Sequence, residues 1–562
     1  MKIIIYQILN RLFANSKNKN QPNGNIEENG CGKMKSISQK ALQSIKDLGA
    51  THIWYTGILA HATQTDYTAY GIPLCHPAVV KGRAGSPYAI NDYYSVDPDL
   101  ATEVERSMKE FELLVARTHK AGLKVLIDFV PNHVARQYHS THSAGRGKNF
   151  GATDYTEWVF SPQNNFYYIP HTALSGEVCD RDIPQWGRYE EMPAKATGND
   201  CFHAFPSVND WYETVKLNYG VDYSTGTCHF SPIPDTWYKM KDILCYWREK
   251  GVDGFRCDMV EMVPCEFWHW VIPQIKVTFP DTLFIGEVYN PALYRRYLHE
   301  GGFDYLYDKV GLYDTLRGVM VGSTPASAIT VAWQAVDDIK DHMLYFLENH
   351  DEQRIASSFF AGNANSALPA LVVAACLQKN PFMLYFGQEL GERGMDAEGF
   401  SGVDGRTTIF DYWNPSTLAR WYNKGKFNEE LLTVEECTWR EYYKKVLGLC
   451  ATEATLYAGE FFDLMYANQG GPLMNDHRQY AFLRKYEEEL LFIVANFSPD
   501  ATRIAVQIPA HAFEHWKMNR KEKITAIDLL TGEQAELSFT DEQPTAMELP
   551  AHGSRIWKMK IS

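Results

Sequence analysis

The stretch Gly251-Val252-Asp253-Gly254-Phe255-Arg256-Cys257-Asp258-Met259-Val260-Glu261-Met262 decides the fold. It reads as a short buried strand: a glycine stop precedes it, a carboxylate ends it, and a new turn of helix follows. Side chains alternate along a strand with a period of two, so Arg256 and Asp258 share a face and one cation can hold one anion. Alone, the pair reads first as a structural ion pair.

Three further apolar runs close in the same way: Val125-Leu126-Ile127-Asp128-Phe129-Val130-Pro131-Asn132-His133, Leu283-Phe284-Ile285-Gly286-Glu287-Val288 and Leu344-Tyr345-Phe346-Leu347-Glu348-Asn349-His350-Asp351. Buried charges are costly unless paired or used, so four such runs point to one shared site. The C-terminal ends of strands are where a parallel (β/α)8 barrel carries its reacting groups.

The rest of the chain repeats one grammar. A helix is expected from near Ser36, where Ser36-Ile37-Ser38-Gln39 has capping-box spacing, with Leu42, Ile45 and Leu48 as its apolar stripe. Gly49 stops it and a strand follows over 51–56. Thr102-Glu103-Val104-Glu105 is expected to cap a second helix, stopped by Gly122 before a strand over 123–130, and a third helix over 237–250 stops at Gly251. Residues 2–8, 282–288, 303–307, 343–347 and 382–386 add strands, which makes eight, the number a closed barrel needs. Residues 14–35, rich in Asn, Lys and Gly, read as an exposed loop.

An excess of about a hundred residues separates the third strand from the third helix, far beyond an ordinary βα loop, and implies an inserted domain. After residue 458 the texture changes to alternating short strands, as in Leu490–Val494 and Ile504–Ile508, which fits an antiparallel β-sandwich. The expected division is barrel over 1–133, insertion over 134–220, barrel again over 221–457 and sandwich over 458–562.

The four segments DFVPNH, GFRCD, GEV and ENHD, in that order between residues 128 and 351, resemble the signature regions of the α-amylase family of glycoside hydrolases, family 13. The resemblance implies the same architecture: a (β/α)8 TIM barrel, an inserted domain after strand 3 and a C-terminal antiparallel β-sandwich. It also implies chemistry. Asp258 would be the nucleophile, kept ionised by Arg256, Glu287 the general acid/base with a raised pKa, and Asp351 the third carboxylate. His133 and His350 match histidines that hydrogen-bond the sugar ring, and Tyr88, in Gly85-Ser86-Pro87-Tyr88, the tyrosine that stacks under it. Asp128 is expected to hold loops together. A retaining glycosidase needs its two carboxyl groups about 5–5.5 Å apart, and neighbouring strands lie about 4.8 Å apart. Asp258 and Glu287, on consecutive expected strands, meet that requirement.

Departures from the family pattern bear on specificity. Ser86 stands where many members carry histidine, Glu261 and Met262 stand where starch-cleaving members often carry Lys-His, and Val215-Lys216-Leu217-Asn218 resembles the fifth family region in its cyclodextrinase and neopullulanase-like form. The resemblance also implies a structural calcium between barrel and insertion, with Asn132 and Asn218 at two ligand positions and the Met262 carbonyl at a third. Calcium wants six to eight oxygens, several of them anionic. Both amides are neutral, with Asp200 and Asp210 the nearby charges to recruit, so the expectation is a weak or absent ion and none in the chemistry.

The net charge of −15 argues against a nucleic-acid partner, whose phosphates need Lys/Arg clusters. Eleven cysteines without paired spacing indicate neither a disulfide framework nor a zinc site, and Cys245, Cys257 and Cys376 read as small buried hydrophobes. No apolar run is long enough to span a membrane and no signal peptide is visible, which reads as cytoplasmic. The expected activity is retaining hydrolysis of α-glucosidic bonds, foremost α-1,4, in α-glucans or maltooligosaccharides. A glucanotransferase or isomerase would share every catalytic residue, and a non-catalytic binding or transporter-associated barrel would be expected to have lost a carboxylate.

Overall fold

The computed structural model describes residues 1–17, 19–141 and 149–561. Eight parallel strands close into a barrel: β1 (Ile4–Leu9), β2 (His52–Thr56), β3 (Lys124–Phe129), β4 (Gly254–Cys257), β5 (Leu283–Gly286), β6 (Tyr305–Tyr307), β7 (Met343–Phe346) and β8 (Phe382–Tyr385). They neighbour one another in chain order, and β8 returns to β1 with Phe382 opposite Ile4. Period-two alternation divides each strand. Ile5, Trp54, Leu126, Ile285, Tyr307, Leu344, Phe346 and Met383 fill the barrel interior, while on the outer face Phe255 meets Phe129 edge-on and Phe284 at a tilt.

The outer ring is α1 (Gln39–Lys46), α2 (Ser107–Lys120), α3 (Asp235–Glu249), α4 (Cys265–Thr278), α5 (Tyr294–His299), α6 (Asp314–Val321), α7 (Ala328–Gln334), α8 (Ala367–Cys376) and α9 (Val434–Thr452). In α4 the buried residues Phe267, Trp268, Val271, Ile272 and Ile275 repeat at three- and four-residue spacing, and Trp268 meets Phe129 edge-on at 6.1 Å. Gly251 turns the chain from α3 into β4 at φ +90°, a conformation a side chain would strain.

Two expected helix starts are corrected. Ser38, not Ser36, caps α1 by accepting the Ala41 amide, and Met34–Ser36 is a separate 3-10 turn. A 3-10 turn, Val104–Arg106, precedes α2, and no Thr102 side chain caps it. Instead the Glu110 carboxylate reaches back from the first turn to the amides of Thr102 and Glu103 at 3.0 and 2.9 Å, fixing the segment that leads into the helix. The expected loop over 14–35 is also less exposed than its composition implied. Asn15 and Asn29 are buried because their amides donate to the carbonyls of Trp413 and Tyr412.

Between β3 and α3 the chain makes short antiparallel ladders, His133–Ala135 with Thr214–Lys216 and Tyr168–Ile169 with Ala194–Lys195. The first places His133 opposite Lys216. Beyond α9 lies an antiparallel sheet of β9 (Glu460–Asp463), β10 (Gln479–Tyr486), β11 (Glu489–Asn496), β13 (Lys521–Asp528), β14 (Gln534–Phe539) and β16 (Ser554–Lys560). Its order is β9-β10-β11-β16-β13-β14, and β12 (Thr502–Val506) pairs with β15 (Thr545–Leu549) as a second ladder. Fully buried Arg484 on β10 donates to the carbonyls of Cys376 and Leu377 at 3.2 and 2.7 Å, capping the end of α8. All eleven cysteines are free, and Cys245 is only half-buried, unlike Cys257 and Cys376. Among the described residues no helix is long and apolar enough to cross a membrane.

Candidate active site

On β3, β4 and β5 the inward face ends in a carboxylate at the C-terminal rim. Inward Leu126 is followed two residues on by Asp128, Arg256 by Asp258, and Ile285 by Glu287. Because Cys257 lies opposite Gly286, Asp258 and Glu287 occupy the next register position on adjacent strands.

Arg256 joins them. It donates to Asp258 Oδ1 at 2.6 Å, and its other terminal nitrogen lies 2.7 Å from Glu287 Oε1. The guanidinium is enclosed by the rings of Trp54, Tyr88 and Tyr307, at 5.3, 5.5 and 5.5 Å from their centroids, and donates to the Tyr307 hydroxyl at 3.2 Å. Such a box favours a weakly hydrated planar cation. Glu287 also accepts from the Tyr289 hydroxyl at 2.7 Å and from the Met259 amide at 2.8 Å. Met259 reaches that position from the left-handed region, φ +45° and ψ +47°, an uncommon conformation for a residue with a side chain and one concentrated at functional sites.

Asp351 and His350 come from the segment after β7. His350 Nε2 lies 3.0 Å from Asp351 Oδ2 and 2.6 Å from the Tyr88 hydroxyl, while Nδ1 faces the Gln7 amide at 2.9 Å. Gln7 donates through its amide, which assigns the imidazole proton to Nε2. The Tyr88 ring stacks on His350 at 5.1 Å and 23°. Asp128 accepts from Trp54 Nε1 at 3.1 Å and from Tyr88 at 3.3 Å, a bracing position beneath the rim.

The carboxylates differ in environment. Burial raises the Asp258 carboxyl well above the usual range; Arg256 pulls it down and the charge of Glu287 pushes it back up. Asp351 has a side chain 41% exposed. Burial would raise it too, but His350, Arg256 and Arg406 hold it down to about 2. Burial, then the charges of Lys216 and Lys81, depress His133 to about 3, so its ring is neutral.

One cleft is lined by Tyr88, His133, Asp258, Glu287, His350 and Asp351, with Lys81, Ser86, Trp211, Glu213, Met259, Tyr289 and Phe410 completing its wall. Its free space is about 310 Å³, within the range of small-molecule sites. Sequence reasoning had not singled out Gln7, Trp54, Tyr289, Tyr307 or the Met259 amide. The one signal available was Gln7, a lone amide in an otherwise apolar first strand.

Asn132 and Asn218 are not arranged to bind an ion. Asn132 Oδ1 accepts from Lys216 Nζ at 2.5 Å, and the same ammonium lies 3.2 Å from the Met262 carbonyl and 2.6 Å from Asp200. Asn218 spends its amide on Ser161 O and its oxygen on the Gly220 amide. Asp210 accepts from Asn199 and Ser207. These residues do not fit a calcium ion, because a buried ammonium already meets the oxygens that would hold it. Among the described residues no group of three His, Cys, Asp or Glu side chains could hold a metal.

The model of the alpha-amylase catalytic domain matches residues 7–430. Neopullulanase 2 of Thermoactinomyces vulgaris is 22% identical over 547 residues, 94% of this chain and 74% of that protein. The crystal structure of the maltogenic alpha-amylase AmyB of Thermotoga neapolitana superposes with a TM-score of 0.64 at 18% identity, covering 100% of this chain and 99% of that one. The alpha-amylase of Geobacillus thermoleovorans, solved with acarbose, gives 0.63 at 20% identity, covering 100% and 98%. The catalytic-domain match runs through all four signature segments, and the barrel gathers those segments on one rim: the chain belongs to the alpha-amylase family of glycoside hydrolases.

Proposed function

We propose that the protein hydrolyses α-glucosidic bonds, foremost α-1,4, in soluble α-glucans or maltooligosaccharides, with retention and through a covalent glycosyl-enzyme intermediate. The observation that carries this reading is the register of Asp258 and Glu287 on adjacent strands, where strand spacing supplies the separation a retaining pair needs.

Asp258 is the nucleophile in this reading. Arg256 fixes one of its oxygens at 2.6 Å and leaves the other free to attack the anomeric carbon. Glu287, protonated, gives its proton to the leaving oxygen as that bond breaks. Water then enters, Glu287 takes its proton, and the new C–O bond displaces Asp258. The Tyr289 hydroxyl, the Met259 amide and Arg256 hold the Glu287 carboxyl in one position through both steps. Asp351, its carboxyl held low, remains anionic to accept sugar hydroxyls and stabilise the oxocarbenium-like transition state. Tyr88 supplies a ring face beside the sugar, and neutral His133 and the Nε2 of His350 supply hydrogen bonds. No metal enters the chemistry.

Incubation with maltooligosaccharides, followed by chromatography and NMR of the first product, tests the reading. Shorter sugars with the α-anomer formed first are expected. Longer products would shift the assignment to transfer, initial β-anomer would refute retention, and no turnover would leave a binding barrel.

A further inference from the structure

A lysine and a glutamate in the cleft wall have no part in that chemistry. Lys81 Nζ lies 3.0 Å from Glu213 Oε2, with side chains only 11% and 5% exposed. Taking both charges out of water costs several kcal/mol per ion unless geometry and further hydrogen bonds offset it. Burial raises the Glu213 carboxyl and Lys81 pulls it back down, and Lys81 also sits 5.2 Å from the Tyr212 ring centroid. A buried ion pair adds little to stability by itself, so its place on the wall of the cleft points to another use.

Their position indicates the use. Glu213 immediately precedes the strand Thr214–Lys216, which pairs with His133–Ala135, and its carbonyl accepts the Arg136 amide at 3.1 Å. Lys81 is close enough to His133 to depress its proton affinity. Trp211 leans on His133 with ring centroids 5.2 Å apart. All three lie against the His133 side of the cleft, whereas Tyr289 and the Met259 amide surround Glu287, which serves the leaving group. A ring face beside a carboxylate and an ammonium matches the chemistry of a sugar: C–H faces pack on the ring, and vicinal hydroxyls donate to one charge and accept from the other.

We propose that Lys81, Glu213 and Trp211 form the subsite for the second sugar on the glycone side, so that this ion pair sets the preference for a maltosyl over a glucosyl donor. The inference rests on the hydrolase reading and narrows its substrate.

The test compares two activated donors, α-glucosyl fluoride and α-maltosyl fluoride. In each the C1–F bond breaks, fluoride ion leaves, and water supplies the replacing hydroxyl and a proton. Fluoride release gives kcat/KM for both, and their ratio does not depend on the fraction of enzyme that is correctly folded. Lys81→Met and Glu213→Gln, made separately, should each lower the maltosyl-to-glucosyl ratio by about tenfold, the loss of roughly one hydrogen bond to a charged group. Trp211→Leu should lower it as well. A ratio within twofold of the wild-type value in all three variants would overturn the inference while leaving the hydrolase reading intact. Wild-type enzyme that releases fluoride from neither donor would overturn both.

Discussion

The guanidinium of Arg256 lies 2.7 Å from the carboxylate of Glu287 while its other arm donates to Asp258 at 2.6 Å. One planar fork therefore fixes both carboxylates, a task a point charge cannot perform. Arg256→Lys should fold and lose about a hundredfold in kcat/KM, the scale of loss that a misplacement of about 1 Å produces. Arg256→Met removes the cation from two buried anions and should cost about 3–5 kcal/mol in urea unfolding. A lysine variant with wild-type rates would show that the two carboxylates are positioned by something else.

Asp258→Asn keeps size and removes the attacking charge, so turnover should vanish with the melting temperature nearly unchanged. Glu287→Gln removes the proton donor. It should lose about 10²–10⁴-fold on maltooligosaccharides and far less in the glycosylation step with a fluoride donor, whose leaving group needs no proton. Equal losses on both substrates would contradict the acid role of Glu287.

The barrel and the places of Asp258 and Glu287 were legible because both follow from period-two alternation: a polar residue ending an apolar strand must face the mouth of the barrel, whereas Asp351, in the segment after β7, was reached only through the family resemblance. Hydrogen-bond partners from other elements were not legible. Nothing in Val-Tyr-Asn after Glu287 says that the Tyr289 hydroxyl turns back to it, and nothing in Cys-Asp-Met-Val says that Met259 adopts the left-handed conformation that aims its amide at Glu287. The place of Lys216 was hidden for a related reason. The sequence shows a lysine in a family segment, and only the fold shows its ammonium among the oxygens of Asn132, Asp200 and Met262.

Three histidines should each withdraw stability as pH drops below neutral, opposed by carboxyls such as Asp97, Asp99 and Asp308 that burial raises to about 6. Burial holds His133 and His61 at about 3 and His52 at about 4. Arg11 adds to the depression at His61, and the two lysines add to it at His133. A depressed histidine is neutral in the folded state but takes a proton in the unfolded chain below about 6.5. Protonation then favours unfolding, so the stability present above about 6.5 is lost toward the folded values. Each extra proton bound on unfolding costs about 1.4 kcal/mol per pH unit. In urea midpoints taken between pH 7 and pH 5, His52→Gln, outside the cleft, should lose less stability, or gain more, than the wild type as pH falls. An unchanged slope in that variant would exclude His52 as a contributor.

The Lys216 ammonium stands in for a bound cation at the junction of insertion and barrel. Its replacement by alanine leaves Asn132 Oδ1 and the Met262 carbonyl without their donor, at about 1–3 kcal/mol for each buried group left unsatisfied. The half-exposed Asp200 should add little. A melting-temperature loss of several degrees is expected for Lys216→Ala, with no change in wild-type protein on adding a chelator or millimolar calcium. Native-state binding would raise the midpoint in proportion to affinity, so a fall of many degrees in chelator would show that an ion binds elsewhere in the fold.

Gln7 is 0% exposed at the C-terminal half of β1, yet it determines how His350 meets the sugar. Its amide nitrogen faces His350 Nδ1 at 2.9 Å and Thr56 Oγ1 at 3.0 Å. With Nδ1 accepting, Nε2 carries the proton and is free to serve Asp351, Tyr88 or a substrate oxygen. Gln7→Met retains the volume and removes the donor, so kcat/KM should fall about tenfold, the worth of one buried hydrogen bond. Gln7→Glu separates positioning from packing. A carboxylate of the same size accepts a hydrogen bond from Nδ1–H, which favours the other tautomer and leaves Nε2 without its hydrogen. It should be at least as inactive as the methionine variant, with the loss in kcat rather than KM, and Gln7→Glu retaining wild-type kcat would show that this hydrogen bond only packs the barrel.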